Sequence, residues 1–167
     1  MRLPAGTRAR TLRYEALEGR WCLSVSVGWD GAGLGSAELT YYFGDLPETL
    51  GGPAGLDRAA IEAALETALD AWSDVIDVTF TEMALADQFD SIDFEFTSSD
   101  SSGGTLAQAY FPDDVNPARI AGDVQFDLAE SWEVGGALGT AAFDLVQVAV
   151  HEIGHALGLE HSSAAGA

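Results

Sequence analysis

The sequence predicts a single layered α/β domain, and three observations predict it. A strand-like run, a helical run, several strand-like runs and a last helical run follow one another in that order. Apolar residues recur at helical spacing in two long segments and gather in short β-branched and aromatic runs elsewhere. At 167 residues, 47% hydrophobic and 20% charged, the chain has the size and composition of one globular domain able to bury a core without disulfide staples.

The elements follow in order. Residues 1–27 are basic and read as a leader, residues 28–37 as a Gly-rich linker, and residues 38–167 as the domain. The apolar, aromatic run 39–43 predicts the first strand. After a turn-rich stretch with two prolines, residues 56–76 predict a helix. Its apolar stripe is Ile61, Leu65, Ala68, Leu69 and Trp72, and Asp57 is placed to cap its start. Strands are expected at 78–83, 92–97, 106–111 and 123–128, separated by loops rich in Ser and Gly or in Pro and Asp. Residues 143–157 predict the last helix, with Leu145, Val148, Ile153 and Ala156 as its packing stripe. No internal repeat is present.

Charge narrows the range of partners. The chain carries 27 acidic residues, seven arginines and no lysine, a formal net charge of -20. Arg2, Arg8, Arg10, Arg13 and Arg20 all lie in the first 20 residues, which leaves only Arg58 and Arg119 beyond them. So negative a body repels nucleic acid and anionic membranes, and neither is an expected partner. No apolar run approaches the roughly 18 residues needed to span a bilayer. Clustered carboxylates suit hard cations such as calcium, although solubility alone accounts for much of an acidic surface. Cys22 is the only cysteine, so no intrachain disulfide can form.

The chemistry concentrates near the C-terminal end. His151-Glu152-Ile153-Gly154-His155-Ala156-Leu157-Gly158-Leu159-Glu160-His161 spells HExxHxxGxxH, and these are the only three histidines in the chain. Two histidines four apart project from one helix face and can share a metal ion. Gly158 permits the positive φ angle at which a chain leaves a helix sharply, returning His161 to the same ion. Three protein ligands leave a fourth tetrahedral position open, the arrangement of a catalytic rather than a structural zinc. Glu152, beside the first ligand, is placed to act as general base toward the attacking water.

That motif resembles the metzincins, and Ser162 after the third histidine resembles their matrixin branch. The similarity extends over residues 38–163 and includes Leu39-Thr40-Tyr41-Tyr42-Phe43, Ala68-Leu69-Asp70-Ala71-Trp72 and Val78-Thr79-Phe80. It implies a twisted, mostly parallel five-stranded sheet with one antiparallel edge strand, packed on two long helices. The implied activity is that of a zinc endopeptidase acting on proteins or peptides. Leu106, Ala107, Gln108 and Ala109 resemble the edge strand along which such a substrate lies extended.

The resemblance also implies structural calcium. Asp127 and Glu130 match an Asp-x-x-Glu ligand pair, and Asp100 matches the loop that completes it with carbonyls of Ser101, Gly103 and Thr105; Asp123 matches a ligand of a second calcium site. Three departures from the pattern stand out. Gln108 and Gln125 occupy two histidine positions of the family's structural zinc, so no structural zinc is expected. The methionine turn and the C-terminal subdomain beyond the third histidine are missing, which implies a fragment or a decayed copy. The context of Cys22 departs from the family's PRCGxPD latency segment, which argues against an inhibitory thiolate. Residues 12–24 resemble the LExLExRxLLS-like leader of many planctomycete proteins, implying export to the extracellular space. Two other classes of reading stay open: a catalytically silent metal-binding fragment, and a non-catalytic adhesion module.

Overall fold

The computed structural model describes residues 29, 36–53, 55–112, 116–117, 119–136 and 141–161. The expected leader with Cys22, most of the expected linker, and Ser162 with the residues after it lie outside the described residues. Eleven elements follow in order: β1 (Ser36–Tyr42), β2 (Thr49–Leu50), β3 (Leu56–Asp57), α1 (Arg58–Ser73), β4 (Asp77–Glu82), β5 (Ser91–Thr97), β6 (Ala107–Ala109), β7 (Val124–Asp127), β8 (Trp132–Glu133), β9 (Phe143–Asp144) and α2 (Leu145–Ala156).

Five strands form one sheet in the order β4-β1-β5-β7-β6. β1 runs parallel to β4 and β5, and β5 runs parallel to β7. β6 alone is antiparallel, and it forms the edge. The expected sheet is therefore the observed one. Two ribbons add to it: β2 with β3, antiparallel, and β8 with β9, parallel.

The element ends shift for local reasons. α1 begins at Arg58 because Asp57 caps it, its carboxylate accepting the Ala60 N–H at 2.9 Å, while Leu56 and Asp57 are taken up in β3. α2 begins at Leu145 for the same kind of reason. Asp144 caps it through the Gln147 N–H at 3.2 Å, and Phe143–Asp144 pair with Trp132–Glu133. β6 keeps only three residues of the expected 106–111 strand.

Both helices bury their apolar stripes against the sheet and each other. α1 contributes Ile61, Ala64, Leu65, Ala68 and Leu69; α2 contributes Leu145, Ala149, Ile153 and Ala156. Val148, expected in that stripe, is only half-buried, and Ala149 takes its place on the packed face. Trp72 stitches the helices together. Its indole N–H donates to the Val150 carbonyl at 2.9 Å, and its ring lies where a Cβ on Gly154 would stand 3.0 Å away. A larger residue at 154 would push the helices apart just where the histidines are displayed.

The domain also starts earlier than expected. β1 begins at Ser36, and Trp29, inside the segment read as a linker, is 9% exposed and part of the core.

Candidate metal centre

α2 displays His151 and His155 one turn apart, and its C-terminal turn brings the third histidine back. Gly158 adopts φ +95°, the left-handed conformation the sequence calls for. Its N–H bonds to the His155 carbonyl at 2.8 Å, and the Leu159 N–H bonds to the Gly154 carbonyl at 2.9 Å, the two bonds of a Schellman cap. The chain then doubles back, and the Nε2 atoms of His151, His155 and His161 stand 2.9, 3.2 and 3.0 Å from one another.

These contacts cannot all be hydrogen bonds. Each ring nitrogen carries either a proton or a lone pair, so among three mutual neighbours at least two are alike and repel. A shared cation removes the conflict, since all three can then present lone pairs. Three nitrogens at about 2.0–2.1 Å from a tetrahedral zinc stand about 3.3 Å apart, close to the spacing observed. The His155 tautomer agrees: its Nδ1 lies 2.6 Å from the Leu159 carbonyl and donates to it, leaving the lone pair on Nε2. Burial, reinforced by the imidazoles of His155 and His161, holds His151 below its ordinary pKa and so favours its neutral form. Among the described residues, this triplet is the one group of three potential ligands whose donor atoms converge within 4.8 Å. The residues fit a zinc ion.

Glu152, next to His151 on α2, is only 7% exposed. Burial raises its carboxyl above the ordinary range, and the charge of His155 partly opposes this. It opens into a cleft of about 550 Å³ lined by Ala107, Gln108, Ala109, Phe111, the three histidines, Glu152 and Glu160. Leu106 lines an adjoining cavity with Ala107, His151 and Glu152. All four residues expected along the substrate strand thus border the histidine cluster. Phe111 and Glu160 complete the cleft without having been singled out from sequence; Phe111 stands edge-on to His155, with centroids 5.9 Å apart.

Family comparison agrees with this geometry. The sequence profile of the matrixins matches residues 35–167. The chain belongs to the matrixin family. It is 40% identical to stromelysin-3 of Xenopus laevis over 117 residues, covering 66% of this chain and 23% of that protein. Human stromelysin-3 is 40% identical over 119 residues, 68% of this chain and 23% of the relative. Mouse matrix metalloproteinase-25 is 41% identical over 117 residues, 65% and 18% respectively. The chain thus spans about a quarter or less of the length of these curated relatives.

In this matrixin the expected calcium residues lie together around one loop. Asp127, 1% exposed, accepts the Ala129 N–H at 2.8 Å on one oxygen and the Asp100 N–H at 3.1 Å on the other. Those backbone donors hold its carboxyl below the ordinary range. Glu130 accepts the Gly103 N–H, Asp100 accepts the Thr105 N–H at 3.0 Å, and the Ser101 carbonyl accepts the Gly104 N–H at 3.1 Å. The loop's acids are therefore engaged by its own amides. Gln108 and Gln125, on the paired strands β6 and β7, form a ladder: Gln108 donates to Gln125, and Gln125 donates to Glu95.

Asp123 stands apart from that loop, beside Asp93, whose N–H approaches its Oδ1 at 3.4 Å. Burial, aided by the charge of Asp93, pushes the Asp123 carboxyl up from 3.8 to about 7. The folded state thus binds this proton more tightly than the unfolded chain. The resulting stability is complete below 3.8 and is lost as pH rises through about 7. In calcium-free buffer, Asp123→Asn is expected to be more stable than wild type by about 3 kcal/mol at pH 8, and to match it near pH 4. Urea denaturation at both pH values checks this. An equal difference at both would rule out titration of Asp123 as the cause.

Proposed function

We propose that this matrixin chain is the catalytic portion of an exported zinc endopeptidase that cleaves proteins or peptides bound in extended form along β6. The observation that carries the proposal is the convergence of three histidine Nε2 atoms beside a buried glutamate, in a cleft bordered by an open strand edge. His151, His155 and His161 would hold the ion. When bound, zinc supplies Lewis-acid polarisation of a carbonyl and lowers the pKa of water toward about 7.

The remaining steps belong to the protein. The Leu159 carbonyl fixes the His155 tautomer, so no proton must leave that ring on metal binding. β6 sits at the sheet edge, and its outer backbone rim can pair with a substrate segment as an added strand, independently of side-chain sequence. Such pairing lays the scissile bond across the histidines and Glu152. Glu152, whose burial strengthens its hold on a proton, takes one from the attacking water and delivers it to the departing amine.

Calcium acts as a structural ion in this reading, with Asp100, Ser101, Gly103, Thr105, Asp127 and Glu130 at one site and Asp123 at a second. Residues 1–27 act as the export leader. No helix among the described residues is long and apolar enough to cross a membrane.

The test is direct. The purified chain is expected to hold one zinc by elemental analysis and to cleave a quenched protein substrate. A chelator should abolish cleavage, and added zinc should restore it. One zinc per chain with no cleavage would replace the peptidase reading with that of a silent metal-binding protein.

A further inference from the structure

The C-terminal turn of α2 must place His161 within about 3 Å of two other rings, and its carbonyl partners show how it is held. A helix ends with four carbonyls lacking an intrahelical partner. Here three are taken within the turn itself: Ile153 by the Leu157 N–H at 2.8 Å, Gly154 by Leu159 and His155 by Gly158. The fourth, Ala156, accepts the indole N–H of Trp29 at 3.0 Å, in a buried bond that reaches across 127 positions of sequence. The same indole is pinned from its other side. A Cβ on Gly122 would lie 2.6 Å from its ring, so the glycine, at φ +82°, leaves just enough room for it.

We infer that Trp29 is a positioning residue for the metal centre. It bridges the turn before β7 and the end of α2, fixing the segment that carries His161. The inference rests on the zinc reading above and concerns a residue that touches neither ion nor substrate. Ala156 is the last residue of α2, so its carbonyl sets the direction in which the Leu157–Gly158 turn departs. Without its donor, that buried carbonyl is left unpaired, and the turn can relax toward water at the expense of the histidine triangle. Segments preceding the first strand are thereby coupled to metal affinity.

The experiment uses the full chain as wild type, Trp29→Phe and Val78→Ala. Phenylalanine keeps an aromatic ring in the core but has no N–H; Val78 is a core residue of β4, remote in the sheet from the histidines. Zinc affinity is read by competition with a chromogenic chelator, and apo stability by thermal melting. Trp29→Phe is expected to weaken zinc binding about tenfold, the low end for groups that orient ligands indirectly. Val78→Ala is expected to shift affinity less than twofold at a comparable loss of melting temperature. Equal affinities for wild type and Trp29→Phe, or equal losses in both variants, would overturn the inference while leaving the zinc reading intact. A wild type that binds no zinc would overturn both. In the unmodified protein, by linkage, zinc should slow hydrogen exchange at the Trp29 indole. An unchanged exchange rate also overturns the coupling, whether or not the variant folds.

Discussion

Replacing Glu152 with glutamine is expected to lower turnover of a protein substrate by about a thousandfold while zinc affinity stays at the wild-type level. The two side chains have nearly the same shape, so the amide fits the packed position where the carboxylate is 7% exposed. It creates neither a cavity nor a clash. An amide cannot take up a proton at any accessible pH, however, and a positioned general base contributes about 10²–10⁴-fold. Zinc affinity should not respond, because Glu152 contributes no atom to the histidine group. Parallel measurement of kcat/KM and zinc content separates the cases. Retained turnover would remove Glu152 from the chemistry, whereas turnover lost together with zinc would make it a structural support of the ligands.

What could be read before the structure was known divides by sequence distance. The histidine triplet was legible because its geometry is local. A spacing of four on a helix and a glycine at the exit determine where three rings go, and Gly158 adopts the conformation this requires. The five-stranded sheet was legible only through family resemblance, since alternation and propensity do not specify strand order. The ribbons β2–β3 and β8–β9 were missed because two-residue strands carry no periodicity. Asp144 was a findable cap, an aspartate directly before an apolar helical run. Trp29 was not findable. Glycines on either side of it read as a linker, and its partner lies at the far end of the chain. The loop expected to bind calcium falls between these cases: the pattern of acids was visible, but not that backbone amides would occupy their oxygens.

Trp132 holds that loop to the core, and its removal is expected to be the costliest single change to stability. Trp132→Ala should destabilise the chain by about 4 kcal/mol, a large share of the roughly 5–15 kcal/mol that holds a domain together. The side chain is fully buried. Its ring stands edge-on to Phe96 and Phe126 at centroid distances of 6.2 and 5.7 Å, and tilted against Phe143 at 6.3 Å. Its indole N–H donates to the Asp127 carbonyl at 2.9 Å. Two costs are therefore combined, packing and an unpaired carbonyl, and Trp132→Phe separates them. Phenylalanine retains most of the aromatic contact but cannot donate, so its cost should fall to about 2 kcal/mol, the range for stranding a buried acceptor plus a small void. Urea denaturation of the three proteins, with unchanged denaturant slopes as the sign of intact two-state unfolding, measures both terms. Equal losses in the two variants would mean that the indole bond, not the ring, anchors the segment. A loss in Trp132→Phe too small to resolve would mean that packing alone does, and that the Asp127 carbonyl finds another donor when the indole is gone.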